Sequence, residues 1–276
     1  MERITFGVNR LDTTLGGGAP RGSVVLLAGE AGAGAREFMH TAAVMNGVAR
    51  TKKERFNLHY GQLSKNTVLP EETHYLSFTA SKDQLENELK LSMDPELVDA
   101  GLEELNFKSL TNQYFGNTPV PQQWYENDDT TFDREIDGAE KLIDVLGRTL
   151  SERAPGNLVI IDSLSDLIDT SGEEFDLVDI VYLLKGMRRA AHEWGGLILV
   201  HVDYEAITNV EEGQLVDSCT GALMFKWATG GSVLARTLVL KSFRGVLSRI
   251  PEDDLVEFET ELGEAGFTIS DVRKIR

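Results

Sequence analysis

The sequence predicts an α/β protein with a mainly parallel central sheet flanked by helices, followed by antiparallel hairpins near the C-terminus. Two observations carry this prediction. Short apolar segments of strand length alternate with longer segments in which apolar residues recur at helical spacing. After residue 215 this alternation gives way to pairs of short strand patterns separated by turns that contain glycine.

Two strand–loop–helix units are predicted in the first hundred residues. Residues 23–28 form an apolar strand pattern between glycine-rich segments, and residues 35–49 carry apolar side chains along one helical face. Residues 74–78 form the second strand pattern. They are followed at 81–84 by Ser-Lys-Asp-Gln, a capping box that predicts the start of the second helix.

The middle of the chain adds two more strands and a long helix. Residues 157–162 form a continuous apolar run, the pattern of a central parallel strand that is covered on both faces. Residues 176–194 have helical periodicity, and Gly195 is expected to end that helix before a strand at 197–202. Because Asp162 is the last residue of its strand, we expect it at the carboxyl edge of the sheet.

The C-terminal part predicts two antiparallel hairpins. The first pairs residues 221–227 with residues 236–242. The second pairs residues 255–258 with residues 267–269 around a glycine-rich turn. These hairpins are expected to extend the parallel sheet.

The length and composition fit a globular protein. The chain has 276 residues, of which 41% are hydrophobic and only 7 are proline. No repeat or linker is recognisable, so we expect one domain, residues 1–276, with a polar insertion at 108–131. The apolar runs are far shorter than the ~20 residues that cross a bilayer, the N-terminus lacks the apolar core of a signal peptide, and the single Cys219 has no disulfide partner. We therefore predict a cytoplasmic protein with no membrane contact.

The chain is strongly acidic. It has 45 acidic and 27 basic residues, a formal net charge of −18. Binding to nucleic acid requires clustered lysine and arginine, and the sequence offers only short basic stretches at 50–55 and 273–276, so nucleic acid is not expected as a partner. Only 11 of the 27 basic residues are lysine. This balance predicts a surface solvated in strong salt and a halophilic, archaeal origin.

Residues 29–36, which read Gly-Glu-Ala-Gly-Ala-Gly-Ala-Arg, lie between the first predicted strand and its helix. A working phosphate-binding loop, G-x-x-x-x-G-K-[ST], uses backbone N–H groups, a lysine that holds phosphate charge and a hydroxyl that binds Mg²⁺. Gly29 and Gly34 keep the loop spacing, but Ala35 has no charge and Arg36 has no acceptor atom for a metal. Arg36 remains within reach of a phosphate from the first helical turn.

The surroundings of this loop resemble the opening of the RecA/KaiC-like ATPases of archaea and bacteria. The resemblance begins with residues 4–12 and 15–29, continues with the Walker B-like strand at 158–165, and includes a late strand at 238–245. It covers roughly residues 4–250 and is closest to single-domain KaiC-like proteins of haloarchaea. It implies a RecA-like fold with a degenerate Walker A loop.

The resemblance also implies which residues would face a nucleotide. It places Asp162 where the metal-organising carboxylate would lie, and it places Arg244 on a strand whose basic residues, in the family, reach the nucleotide of the neighbouring subunit. The resulting candidate cofactor-binding residues are Gly29, Glu30, Ala31, Gly32, Ala33, Gly34, Ala35, Arg36, Asp162 and Arg244.

The chain departs from the family at two further places. The family has one or two glutamates after the second strand, as in Phe-Glu-Glu-Ser, whereas residues 78–81 read Phe-Thr-Ala-Ser, so the general base is absent. In the late strand the family commonly has Lys-x-Arg-Gly. Here Ser242 takes the lysine position and Lys241 comes one residue early, on the opposite strand face, so only Arg244 carries over.

Three functions follow from the resemblance and its departures. Loss of the lysine, the Mg²⁺ ligand and the general base removes most of the charge stabilisation that phosphoryl transfer needs. We therefore predict a pseudo-ATPase without catalytic residues or metal, which acts as a regulatory or scaffold protein through a protein partner, either another RecA-like protein or itself. One alternative is a sensor that binds ATP or ADP weakly without hydrolysis. The other is an active ATPase in DNA recombination or signalling, which would need a substitute cation and base.

The remaining residues of chemical interest have structural interpretations. Asp162 also fits a structural acceptor at its strand end, and we favour that interpretation. Cys219 is predicted to be a small packed residue, whereas Trp124 and Tyr125 are the aromatic pair most suited to a partner contact. The histidines lack metal-ligand spacing. We predict packing or surface roles for His40, His59, His74, His192 and His201.

Overall fold

The computed structural model describes residues 2–116, 118–125, 141–169, 176–203, 207–228, 235–247 and 257–273. Its strands are β1 (Arg3–Ile4), β2 (Ala19–Pro20), β3 (Ser23–Gly29), β4 (Thr67–Val68), β5 (Thr73–Ser77), β6 (Leu105–Ser109), β7 (Leu158–Asp162), β8 (Leu197–Asp203), β9 (Gly221–Ala228), β10 (Ala235–Phe243), β11 (Glu257–Gly263) and β12 (Gly266–Arg273).

The helices alternate with these strands. They are α1 (Asn9–Thr14), α2 (Ala35–Thr51), α3 (Lys53–His59), α4 (Lys82–Ser92), α5 (Pro95–Leu102), α6 (Thr111–Phe115), α7 (Leu142–Arg153), α8 (Leu164–Asp169), α9 (Leu177–Trp194) and α10 (Asn209–Ser218). A short 3₁₀ helix covers Gln122–Trp124.

In the described residues, a large sheet runs in the order β12–β11–β10–β9–β3–β8–β7–β5–β6. All neighbours from β9 to β6 are parallel. The strands from β9 to β12 pair antiparallel. This arrangement confirms the predicted α/β fold with C-terminal antiparallel hairpins. A small second sheet joins β2, β1 and β4.

The parallel register brings several strand ends to one edge of the large sheet. Gly29 at the end of β3 pairs with Asp203 of β8 and with Phe225 of β9. Asp162, the last residue of β7, pairs with Ser77 at the end of β5. The loop that follows β3 therefore lies beside the carboxylate that ends β7, as the position of Asp162 predicted.

The sheet carries one apolar cluster on each face because the parallel strands are apolar on both sides. Val25, Leu27 and their neighbours pack under α2, α5 and the C-terminal hairpin. Val24 and Leu26 point the other way and pack under α7, α8 and α9. The sheet is thus covered by helices on both faces.

Two helix boundaries lie where local sequence patterns predict them. The Ser81 hydroxyl accepts from the Gln84 backbone N–H, and the Gln84 side chain accepts from the Ser81 N–H, so α4 begins with the predicted capping box. Gly195 has φ +69° and ends α9, since a residue without a Cβ adopts this left-handed conformation at low cost.

The polar segment 108–131 contains more regular structure than expected. Its first residues complete β6, which pairs in parallel with β5, and α6 and the 3₁₀ turn follow. The sequence did not indicate these elements because a short alternation of apolar and polar residues in an edge strand is a weak signal. Residues 126–131 lie outside the described residues, and the insertion and single domain remain predictions. In the described residues no helix has the length and apolar content required to cross a bilayer.

Candidate functional site

The loop between β3 and α2 turns on glycines and leads directly into the N-terminus of α2. Gly32 and Gly34 have φ of +71° and +110°, and Gly34 is the N-cap of α2. A Cβ on Gly29 would lie 2.6 Å from the Cβ of Ala35, so the strand end and the helix start approach too closely for a side chain. The first N–H groups of α2 have no intrahelical acceptor, and they are therefore suited to an anion.

The outer side of the loop is held by β9 and β10. The Trp227 backbone N–H donates to Glu30 Oε2 at 3.0 Å, and its indole Nε1–H donates to the Ala31 carbonyl at 3.0 Å. The Arg236 Nε–H donates to the Gly32 carbonyl at 2.8 Å, and its guanidinium carbon lies 4.7 Å from the Trp227 ring centroid. Glu30, one of the candidate cofactor-binding residues, is therefore a structural acceptor that fixes the loop.

A buried polar cluster surrounds Asp162 beside this loop. Its Oδ2 accepts a hydrogen bond from the Tyr75 hydroxyl at 2.8 Å. Its Oδ1 lies 3.7 Å from Arg36 Nη2 and 3.5 Å from His201 Nδ1. Arg36 and Asp162 are 126 positions apart in the chain, and the strand order together with the loop before α2 brings them close.

The cluster sets the charge of its members. Burial raises the pKa of Asp162, but His201, Arg36 and Tyr75 outweigh burial and hold the pKa at about 2, below the ordinary 3.8. The Asp162 carboxylate in turn raises the pKa of the Arg36 guanidinium. Both groups are therefore charged at neutral pH, which agrees with a structural role for Asp162.

Two neighbouring rings complete the polar cluster. Burial lowers the pKa of His40 to about 4, so this imidazole is neutral at physiological pH. Burial and the adjacent Asp162 raise the pKa of Tyr75 well above its ordinary value, which keeps the hydroxyl protonated and able to donate. His40 and Tyr75 have ring centroids 6.2 Å apart.

Arg36 separates two cavities at the sheet edge. The first, of about 270 Å³, is lined by the loop together with Glu37, His201 and Asp203. The second, of about 200 Å³, is lined by Asp162, Tyr75 and the residues after β5, including Thr79 and Ala80. The side chain of Arg36 lines both cavities.

The residues present do not fit a bound Mg²⁺. Mg²⁺ requires oxygen ligands at about 2.0–2.1 Å. Ala35 and Arg36 supply no oxygen from their side chains, and the two oxygens of Asp162 already face Tyr75 on one side and Arg36 and His201 on the other. No cluster of His, Cys, Asp and Glu in the described ranges has the geometry of a metal site. The start of α2, in contrast, presents N–H groups that suit an anion.

The structure brings together all but one of the predicted site residues. Residues 29–36 and Asp162 meet at the loop, whereas Arg244 follows β10 at the opposite end of the sheet. There Arg244 donates to the Asp217 carboxylate at 2.7 Å. Lys241 lies 3.4 Å from the buried Glu212 carboxylate. The expected contact of Arg244 with a neighbouring subunit remains a prediction.

Sequence reasoning missed four participants in the site. His40 and His201 were assigned packing or surface roles, and neither Trp227 nor Arg236 was assigned to the site. The signal that could identify them is strand register: Arg236 is opposite Trp227 across the predicted hairpin, and Trp227 lies just beyond Phe225, the partner of Gly29.

Comparison with known proteins bears on the fold. No family model and no curated protein matches the chain. The crystal structure of the KaiC-like protein PH0186 from the hyperthermophilic archaeon Pyrococcus horikoshii OT3 has 15% identity and a TM-score of 0.62, over 98% of this chain and 99% of that chain. The flagellar accessory protein FlaH from Methanocaldococcus jannaschii has 14% identity and a TM-score of 0.58, over 95% and 96%. The chain therefore shares the fold of the KaiC-like protein PH0186 and of FlaH.

Proposed function

We propose that this chain is a catalytically inactive RecA/KaiC-like protein that acts as a regulator or scaffold by binding another protein, either a RecA-like protein or a second copy of itself. The observation that carries the proposal is the Arg36–Asp162 pair. The arginine stands at the hydroxyl position of the loop and lies 3.7 Å from the carboxylate that would organise a metal.

Loss of turnover follows from the chemistry of the two cavities. Phosphoryl transfer is accelerated mainly by positioning and by charge stabilisation from a loop lysine, a metal ion and a residue that orients the nucleophile. Ala35 occupies the position of the loop lysine, and Arg36 occupies the position of the hydroxyl that binds the metal. Thr79 and Ala80 lie where the family has glutamate. The lysine, the metal ligand and the glutamate are lost at separate positions. One neighbouring side chain therefore cannot replace all three.

Action through a partner is supported by the surface and by the neighbouring folds. Trp124 is 74% exposed next to Tyr125, which packs on Phe115 with ring centroids 5.4 Å apart. A large exposed aromatic side chain that is backed by a packed neighbour is suited to anchor a protein contact. FlaH, which shares the fold, is named an accessory protein, and this chain is proposed to have an accessory role of the same general kind.

Phosphate release from ATP tests the loss of turnover. Wild-type protein, Ala35→Lys/Arg36→Thr, and the same double variant with Thr79→Glu are compared with Mg²⁺ in strong salt. We expect no turnover from the wild type or from the double variant, and measurable turnover only after the glutamate is added. Wild-type turnover that disappears in Arg36→Ala would refute the proposal.

Light scattering after size-exclusion chromatography tests the partner contact for a second copy of the chain. The wild type is compared with Trp124→Ser, and Leu58→Ser serves as the matched control because Leu58 is also highly exposed, at 78%. A dimer or larger assembly that Trp124→Ser alone weakens supports self-association. If the wild type is a monomer at every concentration, the proposed partner is another RecA-like protein.

A nucleotide sensor without turnover is the second candidate function. The observation that favours it is the preserved loop backbone, with Gly32 and Gly34 in the conformation that only glycine adopts easily. The sensor is distinguished from a pure scaffold by a melting temperature that depends on nucleotide concentration.

A further inference from the structure

We infer that the Arg36 guanidinium takes the place of a divalent cation, so that the site binds a phosphate-bearing anion without Mg²⁺. The inference rests on the proposed function, because it concerns a site that holds the anion and does not hydrolyse it. It assigns to this chain a ligand chemistry that differs from that of a metal-dependent loop.

The first support is the position of Arg36. Its guanidinium is tethered 3.7 Å from Asp162, yet the side chain is 53% exposed and lines both cavities. A guanidinium has five N–H donors in a rigid fork that matches phosphate oxygens. The single long contact with Asp162 uses few of these N–H donors. The remaining donors of the guanidinium can bind an anion in either cavity.

The second support is the charge that a metal would meet. A cation bound to Asp162 Oδ1 would lie about 2.1 Å from that oxygen. Arg36 Nη2 lies 3.7 Å from the same oxygen and its pKa is raised, so it keeps its positive charge. Two cations would then lie close to one oxygen of the buried Asp162 carboxylate, and their charges would repel each other. The Arg36 guanidinium therefore excludes a bound Mg²⁺ from this carboxylate.

The third support is the start of α2, which lines the first cavity. The first N–H groups of this 17-residue helix have no intrahelical acceptor and favour a negative charge. His201 lines the same cavity, but its Nδ1 faces Asp162 Oδ1 at 3.5 Å, so it is not counted as a donor to the anion.

Acidic side chains limit the strength of this site. Glu37 and Asp203 also line the first cavity, and both oppose an anion. Glu30 lines it as well, although its Oε2 accepts the Trp227 N–H. Arg36 is therefore the main source of attraction, and its removal is expected to weaken binding strongly.

Isothermal titration tests the metal independence. Sodium pyrophosphate and ATP are titrated into the full chain in molar KCl, each once with EDTA and once with MgCl₂. We expect the dissociation constant of each probe to differ by less than about twofold between EDTA and MgCl₂. Tighter binding of ATP than of pyrophosphate would assign a nucleotide to the site, and equal binding would assign a phosphate group alone. Binding that appears only with Mg²⁺, or no binding of either probe, overturns the inference.

Two substitutions test the role of Arg36 in EDTA. Arg36→Ala is expected to weaken pyrophosphate binding at least tenfold, whereas Arg189→Ala, which removes an exposed arginine from α9, should leave it unchanged. Asp162→Asn is expected to strengthen binding severalfold, because it releases the guanidinium from its carboxylate. Weaker binding in Asp162→Asn, or unchanged binding in Arg36→Ala, contradicts the inference.

Two controls keep these outcomes separate from folding and from turnover. Circular dichroism checks each variant, and Arg36→Lys, which keeps the charge without the fork, replaces Arg36→Ala if the alanine variant does not fold; it is expected to bind more weakly than the wild type. Phosphate release is measured on the same samples. Turnover would refute the proposed function, whereas Mg²⁺-dependent binding without turnover would refute only the metal independence.

Discussion

Asp12 makes the stability of the fold depend on pH in a direction opposite to that of an ordinary paired carboxylate. It lies in α1 and is 1% exposed. Its Oδ2 accepts from the Thr5 hydroxyl at 2.5 Å and from the Tyr60 hydroxyl at 2.9 Å, and its Oδ1 accepts from the Phe6 N–H at 2.9 Å. Burial nevertheless dominates these hydrogen bonds and raises the pKa of Asp12 from 3.8 to about 6.

The pKa difference gives the size of the effect. One pKa unit corresponds to about 1.4 kcal/mol, so the raised pKa represents about 3 kcal/mol between the folded and unfolded states. Because the folded-state pKa is the higher one, its stabilising effect is complete below pH 3.8 and is lost as the pH rises through about 6. Asp12 therefore makes the folded state less stable at neutral pH than a neutral residue of the same shape would.

Urea unfolding of the wild type and of Asp12→Asn measures this effect. The difference in unfolding free energy between the two proteins is expected to change by about 2 kcal/mol between pH 4.5 and pH 7.5, with the wild type losing stability relative to the variant as the pH rises. Taking the difference cancels the titration of the other carboxylates. Asp144→Asn, at an exposed position of α7, is measured alongside as the control for removal of one carboxylate. A constant difference for Asp12→Asn would refute the reasoning.

Three more measurements test other parts of the fold. Phe267→Ala should lower the unfolding free energy by about 3–5 kcal/mol in urea, because the ring is 1% exposed and packs on Phe38 and Phe225 with centroids 5.4 and 5.6 Å apart; a loss below about 1 kcal/mol would show that the hairpin is not docked there. Burial raises the pKa of Cys219 to about 12, so a maleimide at pH 7 should label the native thiol far more slowly than the unfolded one, and equal rates would contradict its burial. The melting temperature should rise between low and molar KCl as salt screens the net charge of −18, and a melt indifferent to salt would speak against a halophilic origin.

The sequence was most informative where local patterns are strong. The continuous apolar runs of β3, β7 and β8 identified the parallel sheet, and the glycines after β3 identified the loop. Helix α10 was not predicted because its apolar residues are few, although Thr208 and Glu211 form a capping box that marks its start. Local patterns thus supplied most of the fold.

The chemistry of the site depends on long-range pairing that no local pattern encodes. Arg36 was recognised as a residue that lacks a metal-binding oxygen, but its approach to Asp162 requires the order and register of β3, β8 and β7. The same register places His201 against that carboxylate. A single sequence therefore identified which side chains were lost from the loop and did not identify what had replaced them.

The strand order has a consequence for how the protein is made. β3 is the first strand of the large sheet to be synthesised, yet both of its neighbours, β8 and β9, come from the last third of the chain. Until those strands leave the ribosome, an almost wholly apolar segment has two unpaired edges, which is the state most prone to aggregation. Yield in a foreign host should accordingly depend on translation speed and on chaperones that hold nascent chains, even for variants whose finished fold is fully stable.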